Sequence, residues 1–332
     1  MKFGPLPLDE ALGTLAAHTL HLSDGVVVHK GARLDERHVA ALRAAGHRQV
    51  IAARLDDDDV AENEAARRLA AAVMGAGVHA AVAATGRCNL HATAAGLVEV
   101  DRERIDRLNL VDEAVTLATL PAHAPVKADD MVATVKIIPY AVRRETLQAC
   151  EAAVVGGALR VAPFHALSMG LILTRLPGTH DSQLDKIALS QRTRAERLGS
   201  TVAREIRCDH EEAAVAAALH ALFDAGCAPI LLLGASAIAD RHDVIPAAIE
   251  RAGGLVEHFG MPVDPGNLFL LGRRGGVVIL GVPGCARSLK RGGFDMVLER
   301  LAAALPVARA DLMTMGVGGL LHDHKNATDE GD

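Results

Sequence analysis

Residues 158–310 predict an α/β domain, a doubly wound and mostly parallel sheet, preceded over residues 1–157 by an α+β region. Three observations predict it. From Ala158 onward, short apolar runs alternate with helix-length segments, the rhythm of strand, helix, strand, helix. The run Ile230-Leu231-Leu232-Leu233 is apolar at every position, as a strand covered on both faces is. With no Trp, one Tyr and six Phe, the core must be built from Ala, Val, Leu and Ile, which suits layered α/β packing.

Taken in order, residues 8–20 place Leu8, Leu12, Leu15 and Ala16 at helical spacing, with Asp9 and Glu10 in the first turn, and predict a helix. A strand over 26–30, a helix over 35–45 closed by Gly46, and a strand over 49–55 follow. Asp56 to Asp59 imitate a metal cluster. Consecutive aspartates repel and cannot all face one ion, so they read as the acidic start of a helix over 62–74. Strands are expected over 78–85 and 98–101, with a charged helix over 102–108. The runs 114–118 and 131–138 flank Pro121, Pro125 and an Asp129-Asp130 turn, which predicts hairpin-like β structure. A helix over 145–155 ends at Gly156-Gly157, where the domain boundary is placed; the first region itself has a candidate division near 75–90.

In the second domain, strands are expected at 169–174, 202–206, 230–233, 256, 269 and 277–280, with helices over 181–198, 211–224, 244–252 and 294–304. Asp209 is expected to cap the second of these helices. Residues 311–332 form a C-terminal segment whose tail from Asp323 is charged and too poor in apolar residues to order itself; His322 and His324 fall in or beside it.

Composition excludes several function classes. A formal charge of -6 and almost no aromatic residues argue against a nucleic-acid surface. Five scattered cysteines without a CxxC fit neither a disulfide framework nor a zinc site, and point to a reducing cytoplasm. The N-terminus has no apolar signal core, and no apolar window reaches the ~18 residues of a membrane span.

The chemistry is expected where three strands end in Gly or Pro. Open parallel sheets bind ligands at the carboxyl ends of their strands. In the segment from Gly234 to Asp243, small residues let backbone amides approach a ligand, and the following helix points its positive end at the same place. Gly234, Ala235 and Ser236 are therefore candidate phosphate contacts, and Asp240 and Asp243 candidate Mg2+ ligands or catalytic carboxylates. An ordinary strand-to-helix turn with Asp243 as its cap explains the same residues. Thr174, Arg175, Asp181 and Ser182 flank a second strand end; the last two also suit a helix cap. Pro265 and Gly266 form a turn, and Pro283, Gly284 and Ser288 bring bare backbone and a hydroxyl, with Arg287, Lys290 and Arg291 adding positive charge. No histidine is adjacent to Cys285 in sequence to activate it as a nucleophile.

Taken together these loops resemble the molybdopterin-binding domain of the molybdopterin adenylyltransferase and molybdotransferase families, including gephyrin. The matching pieces are Gly234 to Asp243 for the glycine-serine-aspartate loop, Asp264-Pro265-Gly266 for the "RPG" turn, and Gly281-Val282-Pro283-Gly284 with Ser288 for the "GLPGNPxS" loop. Upstream, Lys30-Gly31-Ala32-Arg33-Leu34 through Ala45-Gly46 is similar to a "PAGT…LAxxG" segment. The whole chain most resembles bacterial molybdopterin-binding proteins.

The resemblance implies a protein of molybdenum cofactor biosynthesis that binds molybdopterin or a nucleotide derivative. It also implies a homo-oligomer, and Mg2+-dependent nucleotidyl or phosphoryl transfer, or molybdate insertion, if the chain is a transferase. The other implied role is a non-catalytic carrier or chaperone serving a molybdenum hydroxylase or other cofactor-biosynthesis proteins. The chain departs from the pattern at Leu176-Pro177-Gly178, in place of an acidic "GDE". It also has Asn267 in place of lysine and Gly284-Cys285-Ala286 in place of "GNP". The pocket is therefore kept better than the catalytic carboxylates and lysine.

Overall fold

A computed structural model describes residues 1–22 and 25–321. The expectations for the tail from Asp323, and for His322 and His324, lie outside the described residues. The chain forms two compact units, Met1–Ala162 and Pro163–Asp332.

The first unit is α+β. A four-stranded antiparallel sheet runs in the order Val115–Thr119, Met131–Ile137, Arg87–Ala92, Val78–Ala80, with Val115 opposite Ile137 and Lys136 opposite Arg87. The helices Glu62–Val73, Arg102–Asn109 and Arg144–Ala153 bury Leu69, Leu108 and Leu147 in the core of which this sheet is part. A separate cluster of Leu8, Leu34, Leu42 and Val50 lies beneath the sheet formed by Lys2–Pro7, Gln49–Arg54 and Leu15–Ala16.

Several local expectations are corrected here. Residues 8–20 do not form a helix. A single 3-10 turn, Leu8–Glu10, is followed by Gly13 at φ 79° and a strand at Leu15–Ala16 that pairs with Ala53 and Ala52. Leu12, one of the spaced apolar residues, is exposed, and pairing with a neighbouring strand wins over local periodicity. Asp56 to Asp59 do not open a helix. The Asp59 carboxylate accepts the Asp56 amide at 2.9 Å, closing a turn into the strand Asp59–Ala61. The strand expected over 78–85 stops at Ala80. Thr85 and Gly86 turn the chain at φ 49° and 70°, and the longer strand is Arg87–Ala92, where the sequence suggested only the end of a strand.

The second unit is a mixed α/β domain with a six-stranded sheet. Its elements are β1 (Ser168–Arg175), α1 (Asp181–Arg197), β2 (Thr201–Asp209), α2 (Glu212–Asp224), β3 (Ile230–Leu233), α3 (Val244–Arg251), β4 (Leu255–Phe259), β5 (Leu270–Arg274), β6 (Val277–Gly281) and α4 (Gly293–Ala302). The spatial order is β2-β1-β3-β6-β5-β4. The pairs β2/β1, β1/β3 and β3/β6 are parallel, whereas β6/β5 and β5/β4 are antiparallel.

Alternate side chains of the central strands fall into two cores. Leu171, Leu173, Leu231, Leu233 and Leu280 pack with Leu184 and Ala188 of α1 and Phe294, Val297 and Leu298 of α4. Ile172, Ile230, Leu232 and Ile279 pack with Val215 and Leu219 of α2 and Ile245 and Ile249 of α3. Burial on both faces explains the unbroken apolar run at 230–233. Asp209 does not cap α2. It ends β2 and accepts Arg175 Nε at 3.0 Å, while Glu211 stands at the cap position without a side-chain bond to it. Among the described residues, no helix is long and apolar enough to cross a membrane.

Candidate functional site

The register brings the chemistry to one edge. Leu173 is level with Leu233, and Leu232 with Gly281, so β1, β3 and β6 all deliver their carboxyl ends to the same side of the sheet. The chain leaves β1 for β2 on one flank and leaves β3 for β4 on the other. Adjacent strands whose connections diverge leave a crevice between them. A cavity of about 350 Å3 lies there. Leu173 and Thr174 of β1 meet Leu233, Gly234 and Ala235 at the end of β3. Helix α1 supplies Gln183, Leu184, Lys186 and Ile187, the loop before it Leu176 and Thr179, and the loop after β6 supplies Arg287.

Thr174 ties the two strand ends together. Its side chain is almost fully buried, with the residue 2% exposed, so its hydroxyl must be satisfied internally. The hydroxyl accepts the Ala235 amide at 2.7 Å and shares a 2.8 Å bond with His210 Nδ1. His210 Nε2 in turn lies 3.2 Å from Ser236 Oγ. One imidazole therefore links β1 to the loop after β3. Gly234 is required at the junction, because a Cβ there would stand 2.7 Å from the Ser236 carbonyl oxygen and 2.8 Å from Ile245. Across the cavity mouth, Arg287 donates to the carbonyls of Gly234 and Ala235 at 3.0 and 3.2 Å. The resulting rim is cationic on one side and bare backbone on the other, over an apolar floor.

Thr174, Gly234 and Ala235 line the cavity; Ser236 does not, and is joined to Thr174 through His210. The other expected residues stand elsewhere. Arg175 pairs with Asp209, and Asp181 is 3.8 Å from Arg207, whose nearer partners are Asp185 and Glu205. Ser182 lies exposed in the first turn of α1.

Asp243 caps α3: its oxygens accept the amides of Val244 at 2.9 Å and Ala239 at 3.2 Å. Asp240 accepts the His242 amide at 2.8 Å and lies 2.7 Å from its Nδ1, and these bonds hold its carboxyl below the usual range. The carbonyl of Pro265, which follows a cis peptide bond, accepts the Gly293 amide at 2.9 Å. At Gly266 a Cβ would meet that same amide nitrogen at 2.8 Å, so this turn is packed against the start of α4. Pro283 is buried and leads into the turn Gly284–Arg287; Gly284 faces open space, and Ser288 Oγ bonds the Cys285 carbonyl at 3.2 Å. Burial pushes the Cys285 thiol up, away from a reactive thiolate. Among the described residues, no three His, Cys, Asp or Glu side chains gather to hold a metal.

Sequence reasoning missed Gln183, Lys186 and His210. Their signal was positional. His210 directly follows β2, at the same carboxyl edge as the loops that were singled out, and Gln183 and Lys186 fall at helical spacing from Thr179 across the entry to α1.

No protein-family profile matches the chain, and no curated protein sequence matches it. Among solved structures it has a distant similarity to a molybdopterin biosynthesis MoeA protein from Pyrococcus horikosii. The TM-score is 0.32 at 13% identity, covering 91% of this chain and 75% of that one. A molybdenum cofactor biosynthesis protein from Pyrococcus furiosus gives a TM-score of 0.26 at 12% identity, covering 93% of this chain and 66% of that one. A likeness at this level assigns neither a family nor a ligand to the chain.

Proposed function

We propose that this chain binds molybdopterin, or its nucleotide form, in the crevice between β1 and β3, as a protein of molybdenum cofactor biosynthesis. The reading rests on the resemblance of the 234–243 and 281–288 loops, which bring Gly234, Ala235 and Arg287 to the cavity; the 264–266 turn shares the resemblance but stands apart from the cavity. The observation that carries it is the cavity at the divergence of β1 and β3, walled by Thr174, Ala235 and Arg287. A volume of about 350 Å3 falls within the range of small-molecule sites. Leu173, Leu176, Leu184 and Ile187 offer a flat ring an apolar bed; Gln183 and Thr179 offer it hydrogen bonds; Arg287 and Lys186 offer charge to a phosphate.

The residues present do not fit a resident Mg2+. Asp243 spends both oxygens on backbone amides, and one oxygen of Asp240 is engaged by His242. That engagement favours the second role, a non-catalytic carrier, over nucleotidyl transfer or molybdate insertion by Asp240 and Asp243. In this role the residues bind and shield the ligand: Arg287 and Lys186 neutralise its phosphate, and the leucines keep water from its ring.

Equilibrium titration with molybdopterin, with and without nucleotide, molybdate and Mg2+, tests the reading. Saturable binding without turnover is expected. Turnover would restore the transferase reading, and no binding of any pterin would remove the proposal.

A further inference from the structure

Arg287 is exposed and flexible by type, yet it reaches two carbonyls of the facing loop. Something must hold its backbone. The residues on either side of it are gripped from α1. Arg194, only 3% exposed, donates through Nη1 to the Ala286 carbonyl at 2.7 Å and through Nη2 to the Ser288 carbonyl, with a longer 3.4 Å contact to that of Lys290. Its Nε bonds Asp295 Oδ1 at 2.7 Å, and Asp295 Oδ2 accepts the Gly292 amide at 2.8 Å, so the grip extends to the start of α4.

Gln191, one turn earlier and fully buried, donates to the same Ala286 carbonyl at 2.8 Å. Among the described residues its Oε1 is buried with no partner. A buried acceptor without a partner is costly, and the Ala286 carbonyl held by the same amide offsets that cost. The planar guanidinium fork, with several donors fixed in one plane, can hold these carbonyls and a carboxylate together; an ammonium cannot.

We propose that Arg194 and Gln191 are positioning residues that present Arg287 to the anionic part of the ligand. Helix α1 then does two things: Gln183, Lys186 and Ile187 form one wall of the cavity, and the next two turns fix the loop that forms the opposite rim. The proposal rests on the reading that the cavity takes a phosphorylated pterin, but its mechanical half can be tested without ligand.

The test uses the full chain carrying Arg194→Lys, Gln191→Met, Arg287→Ala, and Arg194→Lys with Arg287→Ala. Amide hydrogen exchange of 283–290 and 234–236 should rise at least ten-fold in Arg194→Lys and about three-fold in Gln191→Met, with other peptides unchanged. Unchanged exchange overturns the proposal. Affinity for molybdopterin should fall about ten-fold in Arg194→Lys and in Arg287→Ala, and no further in the double variant. Affinity for 6-hydroxymethylpterin, which has no phosphate, should stay within two-fold. A purely structural role would weaken both ligands alike, and additive losses would equally overturn the proposal. Should Arg194→Lys fail to fold, Gln191→Met carries both measurements. If the unaltered protein binds no pterin while exchange rises at 283–290 and 234–236, the functional reading falls and the clamp stands.

Discussion

Thr174 shows how much one hydroxyl can do at a strand end. It was singled out in the sequence as a ligand contact because it follows an apolar run and precedes a helix. The structure turns its oxygen inward, onto the Ala235 amide and His210 Nδ1, where it fastens two loops of the cavity. Thr174→Val keeps the shape but leaves a part-buried amide without its acceptor, so it should lower stability by about 1 kcal/mol and weaken molybdopterin binding about ten-fold. Thr174→Ser should restore both within about two-fold; thermal melting and titration decide it. The partnership with His210 was not legible, because 36 positions separate the two residues and it takes the parallel pairing of β1 with β2, which sets Thr174 opposite Cys208, to bring His210 within reach. Arg287 was legible as charge but not as a donor to Gly234 and Ala235, since periodicity says nothing of which loop faces which.

At the scale of elements, Asp243 separates two readings of one loop. As a cap its carboxylate satisfies the Val244 amide, which α3 leaves without a partner, and it also ties down the Ala239 amide of the preceding loop. Asp243→Ala should therefore cost about 1 kcal/mol of stability, and Asp243→Asn, which keeps a side-chain acceptor, about half of that or less. Ligand affinity should change less than three-fold in both. A carboxylate acting as base or metal ligand would behave otherwise: Asn would abolish turnover with no loss in the melt.

The elements of the second unit were legible almost throughout, because strands covered on both faces and amphipathic helices leave different periods in the sequence. The first unit was harder. Its strands are short, and residues 8–20 carry helical spacing that Gly13 and the pairing of Leu15–Ala16 with Gln49–Arg54 override. Leu159–Pro163, which joins a sheet with strands of the first unit, falls in the stretch just after the glycine pair.

For the whole molecule, the second unit has a pH dependence built into β4. Burial, followed by the charges of Arg309 and Arg241, lowers the His258 pKa below its ordinary 6.5. The unfolded chain then binds the proton more readily than the folded one. This contribution to stability is complete above pH 6.5 and is lost as the pH falls through the folded value. His258→Gln should flatten that part of the profile of denaturation midpoint against pH, and an unchanged slope would assign it to other groups. The distribution of function across the molecule is simpler. Every residue given a role in the cavity belongs to the second unit, on strand ends, on α1 or on the loops between them, and the closing contacts come from loops that no local rule could pair.

The central claim is a place: a phosphorylated pterin in the crevice between β1 and β3. The most direct measurement is a crystal structure of the protein soaked with molybdopterin. Ligand density is expected within the wall of Thr174, Gly234 and Ala235, with the phosphate against Arg287. Density at any other surface, with this crevice unchanged, would contradict it.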